Sequence, residues 1–210
     1  ADKGKIILDG TDITGLPEYK RSLRIGRVFQ DPAKGTAFDM TIEENLAVAW
    51  AKGKSRGLLP GMNKQDHRFF REQVAQLDLG LEDRMKDKVG LLSGGQRQAL
   101  TLLMATIVRP GLLLLDEHAA ALDPGTAKNV LSLTDRIVSG EGLCCFMITH
   151  NMEAALAHGT RTIMMHEGEV ILDLSGAERE RMTVEGLIDL FARKSGTRLD
   201  NDRMLLATEN

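Results

Sequence analysis

The chain has little of several things that would narrow its class. It has no apolar run approaching membrane-spanning length; its purest hydrophobic stretch near a motif is Leu112–Leu115. No charged segment followed by an apolar one marks a secretory signal at its start. It has two cysteines, Cys144 and Cys145, adjacent in an apolar run. Neighbours on a strand point to opposite faces, so a disulfide framework is not expected, a reducing compartment fits, and two buried core thiols are the expectation over a reactive pair. Charge of one sign is not in excess: 27 Lys and Arg stand against 30 Asp and Glu, for a net charge of −3 with the signs mixed. No nucleic-acid partner is expected from that balance. Internal repeats and low-complexity tracts are absent. What remains is 210 residues, 42% apolar and 27% charged, the composition of a globular protein of ordinary domain size.

The order of elements is more telling. Ile6–Leu8 reads as a strand ending in an Asp9-Gly10 turn, Pro17–Leu23 as a short helix, and Ile25–Phe29 as a strand broken by "QDP". Thr41–Trp50 reads as a helix with Thr41 as N-cap and Glu44 at the capping-box position; Asp66–Leu77 is a second helix with Phe70, Val74 and Leu77 on one face. Between them lies a basic, Gly-rich loop. After Gly90 the pattern changes to alternation: a turn and helix ended by Pro110-Gly111, the strand Leu112–Leu115, the helix Pro124–Val138, the strand Leu143–Ile148 and the helix Met152–Ala157. Ile163–Met165 and Val170–Leu172 flank a "HEGE" turn, and Thr183–Arg193 is a last amphipathic helix. Strands alternating with helices argue a parallel sheet with helices on its faces, and a purely apolar strand is expected where both faces are covered. The helical stretch from about Thr41 to Asp87 reads as an insertion between two α/β portions.

Four local patterns carry chemistry. "LLLLDE" places Asp116 and Glu117 at the C-terminal end of a buried strand, the end that faces the ligand crevice in open α/β sheets. One carboxylate there can hold Mg²⁺ through water and the next can polarise an attacking water; the bland alternative is an acidic strand end emerging into solvent. "LSGGQ", Leu92–Gln96, offers the Ser93 hydroxyl and the backbone N–H groups of Gly94 and Gly95 at a helix N-terminus, a geometry that favours phosphate; alone, an ordinary Ser N-cap explains it equally well. Gln30 stands just past a strand end, able to ligate a metal or a water or merely to end the strand. His150 stands past another strand, a position where a lone histidine is more often structural.

The order decides between these readings: Gln30 after a strand, LSGGQ some sixty residues on, DE about twenty residues past Gln96, then Leu122-Asp123, then His150 after the next strand. The chain resembles the nucleotide-binding subunit of ATP-binding-cassette (ABC) transporters from about Gly4 to Gly168. Stretches such as "VFQDPAKGTAFDMTIEENLAVA", "LLLLDEHAAALDP" and the tail "NDRMLL" look like the ATPase of a bacterial uptake system for tryptophan, tyrosine or a related amino acid. The resemblance implies a P-loop NTPase-like α/β core with a mainly parallel sheet and an inserted α-helical subdomain. It divides the chain into partial core (1–35), helical subdomain (36–105), core (106–175) and helical tail (176–210).

The resemblance also implies ATP and Mg²⁺, and these roles: Glu117 as general base or water-positioning group, Asp116 and Gln30 at the metal, and His150 at the γ-phosphate. Ser93, Gly94, Gly95 and Gln96 form the signature that meets the nucleotide of a second, head-to-tail copy, and Asp123 reaches across that dimer. Implied partners are transmembrane permease subunits and, indirectly, a substrate-binding protein, and the implied place is the cytoplasmic face of a bacterial inner membrane. Dimer closure and opening would bias the permease between states. Two departures stand out: His118 where the family has proline, and Ala119-Ala120-Ala121 where it has a hydroxyl-bearing loop. For His118 a surface or packing role is expected; for the loop, altered coupling between sites.

One motif is missing. The phosphate loop G-x-x-x-x-G-K-[ST] is not present: Gly53-Lys54-Ser55 supplies the tripeptide, but Val48 stands where the first glycine belongs and a helix, not a strand, precedes it. In the family that loop and its helix precede a strand like "GKIILDG". The chain is therefore expected to be N-terminally incomplete by on the order of 40–50 residues and inactive as an ATPase alone. Competing readings are a non-transport ABC ATPase, against which the lack of long coiled coils and of a second cassette speaks, and a non-enzymatic docking module. Lys52, Lys54, Arg56 and Lys64 in the helical insertion read as a solvated face, with contact to a partner or acidic lipid as the alternative.

Overall fold

The structure, a computed structural model, describes residues 3–53 and 62–195; Lys54, Ser55, Arg56 and the "NDRMLL" tail lie outside them. The chain divides into two compact units between Ile148 and Thr149.

The first unit opens on a hairpin of β1 (Ile7–Leu8) and β2 (Thr11–Asp12). Asp9 and Gly10 join the strands at φ 47° and 72°, the positive φ pair a two-residue hairpin needs. After α1 (Glu18–Ser22) comes β3 (Ile25–Val28), then a loop carrying a single 3₁₀ turn at Pro32–Lys34. Helix α2 (Ile42–Trp50) begins where expected: Thr41 Oγ1 accepts from Glu44 N, and the Glu44 carboxylate accepts in return from Thr41 N. Asn63 and Asp66 make the same reciprocal cap for α3 (Lys64–Ala75). Helix α4 (Gly94–Thr106), β4 (Leu112–Asp116), α5 (Pro124–Glu141) and β5 (Cys145–Ile148) complete the unit. Gly142 ends α5 in the left-handed region at φ 57°, and Leu143 N donates back to Val138 O.

The sheet runs β3-β4-β5, all parallel, with Val28 opposite Leu115 and Leu115 opposite Met147. That register puts Gly26, Val28, Leu113, Leu115, Cys145 and Met147 on one face. Val28, Leu113 and Leu115 are buried there against Ile42 and Leu46 of α2, Phe70 and Val74 of α3, and Leu100, Leu102 and Leu103 of α4. The helical stretch and the sheet thus share one core. At Gly26 the approach is closest: a Cβ would stand 2.5 Å from the carbonyl oxygen of Ala105 in α4.

Three expectations need correcting. Both sheet faces were expected to be covered, but the opposite one is not, since Phe146 and Ile148 are 48% and 49% exposed. The core cluster formed with α2, α3, α4 and part of α5 lies on the Val28–Leu113–Leu115 side, and alternation sends every second strand residue the other way. The cysteines are not two buried core thiols: Cys145 packs against the core and Cys144, on the other side of the chain, is exposed. Burial, with smaller help from Cys144 and Asp135, pushes the Cys145 thiol up to about 11, which leaves it unreactive at neutral pH. Finally, Lys52 is not part of a solvated face. Its Nζ donates to Ile25 O at 2.9 Å, capping a backbone acceptor of β3, and burial lowers its pKa.

The second unit has its own core of Met152, Leu172, Leu174 and Leu187. It comprises α6 (Met152–Ala157), the antiparallel hairpin of β6 (Arg161–His166) and β7 (Glu169–Ser175), α7 (Gly176–Glu180) and α8 (Val184–Ser195). Glu167 and Gly168, at φ 48° and 84°, form the turn expected from "HEGE". Arg179 in α7 donates to Leu156 O and to Thr162 Oγ1, tying α6 to the hairpin.

The Gly26 contact is backbone, so it has no flexible end to move aside. Gly26→Ala is expected to destabilise the first unit by about 1–3 kcal/mol through overpacking, read as a lower denaturant midpoint. An unchanged midpoint would show that α4 can shift freely over β3.

Candidate functional site

Parallel pairing brings strand ends to one side of a sheet. Because β3 and β4 run in register, the residues that follow them emerge together: Phe29 and Gln30 after β3, Asp116 and Glu117 at the end of β4. Gln30 is exposed, while Asp116 and Glu117 are half-buried. The Asp116 carboxylate accepts from Arg27 Nη2 at 3.0 Å, and the Arg27 guanidinium also lies over the Phe29 ring, 4.5 Å from its centroid. Arg27 was not anticipated, although a lone arginine in the otherwise apolar "IGRVF" was a signal that its face is open.

Glu117 is held by its backbone. Its N–H donates to Ile148 O at the end of β5, its C=O accepts from Ala120 N, and both distances are 3.0 Å. Its φ is +46°, a region that costs a non-glycine residue energy and recurs at functional sites. A sharp turn therefore takes the chain off β4, swinging it from the sheet into Ala119–Leu122 and α5.

The Ser93–Gln96 turn is a reciprocal cap. Ser93 Oγ accepts from Gln96 N, and the Gln96 side chain accepts from Ser93 N. The first turn of α4 is thus ordered with Ser93 and Gly94 exposed. Its glycines have a reason within this chain: a Cβ on Gly94 would meet Leu122 at 3.3 Å, and one on Gly95 would meet Thr126 Cγ2 at 2.3 Å. The signature turn is therefore packed on the loop and helix start that carry Asp123. Asp123 is the N-cap of α5, its carboxylate accepting from Thr126 N at 3.0 Å. Hydrogen bonds from the Thr126 side chain and backbone hold that carboxyl below its ordinary value. His150 lies in the second unit, exposed, just before Asn151, which caps α6.

Two buried amides that sequence reasoning passed over fix the loop after β3. Gln98, 1% exposed, donates from Nε2 to Phe29 O, next to Gln30. Asn45, 2% exposed, donates to Ala37 O and Thr41 O and accepts from Ala37 N. Each sits among apolar neighbours of a helical pattern, and a polar residue on the buried face of a helix was the available signal.

No cluster of three or more His, Cys, Asp or Glu side chains that would cage a metal occurs among the described residues. Asp116 beside Glu117 fits a Mg²⁺ site of another kind, in which one or two carboxylates are completed by water and phosphate oxygens. None of the described helices is long and apolar enough to cross a membrane.

Strand-end carboxylates, a capped Gly-Gly turn at a helix N-terminus and an α/β core interrupted by helices are the marks of an ABC ATPase. The chain belongs to the ABC transporter family, whose model matches residues 1–120. These ATPases couple ATP hydrolysis to transport. The chain is 45% identical over 188 residues to a tyrosine transport ATP-binding protein of Clostridioides difficile, covering 90% of this chain and 74% of that protein. It is 34% identical over 174 residues to a methionine import ATP-binding protein of Rhizobium johnstonii, covering 81% of this chain but only 45% of that longer protein. Among solved structures it is similar to an ATP-binding cassette in a dimeric post-hydrolysis state bound to ADP and Pi. That match has a TM-score of 0.66, 25% identity, and covers 82% of this chain and 73% of that one. The cassette of another ABC transporter shares the fold, at a TM-score of 0.73 and 21% identity over 91% of this chain and 78% of its own.

Substitutions at Gly95 and Asp123 separate packing from capping here. Gly95→Ala is expected to cost about 1–3 kcal/mol by forcing α4 off Thr126, and Thr126→Ser should relieve part of that loss in the double variant. Asp123→Asn should keep the α5 cap and Asp123→Ala should lose it. Because the Asp123 pKa is depressed on folding, its contribution is complete above the unfolded value of about 3.9 and is lost as pH falls through the lower folded value. Acid titration of the melting temperature should therefore show a step in wild type that Asp123→Asn lacks.

Proposed function

We propose that this chain is the ATP-binding and ATP-hydrolysing part of an importer for an amino acid of the tyrosine class. The observation that carries the reading is the pair Asp116–Glu117 at the shared end of parallel strands, beside the end from which Gln30 emerges. The 45% identity to a tyrosine transport protein supports the substrate class.

In this reading Glu117 positions and activates the water that attacks the γ-phosphate, its backbone already locked by Ile148 and Ala120. Asp116 and Gln30 would hold Mg²⁺, which when bound neutralises phosphate charge. The first turn of α4, with Ser93, Gly94 and Gly95, presents hydroxyl and amide donors suited to a phosphate. The partner for that turn is the nucleotide on a second copy, arranged head to tail. Gln96 keeps the turn in shape through its bond to Ser93. His150 would contact the γ-phosphate and Asp123 the other copy. Transmembrane permease subunits and a substrate-binding protein would complete the machine at the cytoplasmic face of the membrane.

These 210 residues carry no G-x-x-x-x-G-K-[ST] phosphate loop, so their ATPase activity in isolation is expected at background; Glu117-dependent turnover by them alone would overturn that. The reading itself is tested in cells. Glu117→Gln, introduced at the chromosomal gene, should cut uptake of radiolabelled tyrosine, tryptophan or methionine by at least about tenfold while the protein level stays constant. Unchanged uptake of all three would sink the amino-acid importer assignment.

A further inference from the structure

His118 follows the catalytic carboxylate, yet it is only 2% exposed, and its side chain turns inward while Glu117 stays half-buried at the rim. Its Nε2 lies 3.0 Å from Thr134 Oγ1, and Thr134, in the middle of α5, is 4% exposed. The direction of this bond follows from the chemistry of the hydroxyl. Thr134 has one hydroxyl hydrogen and gives it to Val130 O at 2.8 Å, so toward His118 it can only accept. His118 must therefore carry its proton on Nε2 and donate it.

We propose that His118 is a positioning residue for Glu117: its Nε2–H bond to Thr134 pins the residue after the carboxylate to α5 and thereby holds Glu117 at φ +46°. The inference rests on the reading of Glu117 as the water-positioning group. Among the ties that shape the turn as the chain leaves β4 are Glu117 N to Ile148 O, Ala120 N to Glu117 O, and the His118 side chain to Thr134. The first continues the β4–β5 ladder and lies before the N–Cα rotation of Glu117, the second closes the turn after it, and both are compatible with the left-handed step. Neither compels it, since an unconstrained glutamate prefers negative φ. The third is a buried polar pair whose partners would each lose a hydrogen bond if the turn relaxed, a cost that opposes relaxation. A residue with a fixed φ would restrict the backbone at this point by its ring. Histidine does it through a side-chain anchor, and the anchor makes α5, which Asp123 caps and against which the signature turn packs, part of what aims Glu117.

The test uses three single variants of the chain and the His118→Leu/Thr134→Val double variant. His118→Leu fills the space without the donor; His118→Gln keeps an N–H at about the reach of the ring Nε2; Thr134→Val removes the acceptor. Amide exchange followed by NMR should speed up about tenfold or more at Glu117 and Ala120 in His118→Leu and in Thr134→Val. The double variant should be no faster than either single one, and His118→Gln should return exchange close to wild type. Amides in the centre of α5 report overall stability and should speed up less than those of Glu117 and Ala120. Unaltered exchange at Glu117 and Ala120, or an equal rise along α5, would overturn the proposal, because the pair would then be packing alone. In cells, amino-acid uptake should fall in His118→Leu and recover in His118→Gln; normal uptake in His118→Leu where Glu117→Gln abolishes it would also overturn it. If Glu117→Gln leaves uptake intact, the functional reading fails instead, and the exchange rates alone decide the fate of the His118 anchor.

Discussion

The parallel pairing of β4 between β3 and β5 is the constraint on which the rest depends. Leu113 and Leu115 are fully buried, and their register with Val28 on one side and Met147 on the other leaves no freedom to slip. A shift of one residue would turn Leu112, Leu114 and Asp116 toward the covered face in their place, bringing a carboxylate against the core. Burial of apolar surface, about 25 cal/mol for each Å² removed from water, together with the cost of burying that charge, thus fixes where two carboxylates stand. The chemistry of the site is placed by residues that take no part in it.

A second layer of constraint comes from helix ends. Thr41, Asn63, Ser93 and Asp123 each accept backbone N–H bonds at the start of a helix. For the first two the consequence is structural only, since α2 and α3 wall the core. For Ser93 and Asp123 the same physics orders the two helix starts proposed above for nucleotide and dimer contacts. The Gly94 and Gly95 contacts with Leu122 and Thr126 join those two helix starts into one piece. A glycine in this turn therefore answers to packing before it answers to any ligand. Structural and functional accounts of these glycines are two results of one close approach.

Much of this was legible in the sequence. Capping boxes are local, so α2 was placed from Thr41 and Glu44, and turn chemistry placed the turns at Asp9-Gly10 and at Glu167-Gly168, though not the short return strand Thr11–Asp12. The apolar run Leu112–Leu115 followed by two acids gave the strand and the end at which the carboxylates emerge. Illegible features were those set by tertiary context. A run of leucines looks the same whether one face or two are covered, so the exposure of Phe146 and Ile148 could not be read from it. Lys52 looked like any loop lysine, because only the fold brings the Ile25 carbonyl within reach. Arg27, Asn45 and Gln98 act on groups that are local only in space or obey no motif.

His118 shows how such a departure should be weighed. As one letter in place of another it reads as tolerated variation, and its neighbourhood in sequence gives no partner. The partner is sixteen residues on, one helix face away, and is itself committed to Val130 O, which fixes the direction of the bond. A backbone at φ +46° has to be held by something; the two backbone bonds of Glu117 lie on either side of that rotation, and the buried His118–Thr134 pair stands one residue beyond it. The energy needed is modest, of the order of 1–3 kcal/mol for a residue in a sparsely populated region, and a buried hydrogen bond whose loss leaves an unsatisfied group is of the same size. The strain at the carboxylate and the bond that opposes its release are thus matched in magnitude, and the helix that supplies the bond is the one whose start packs on the signature turn.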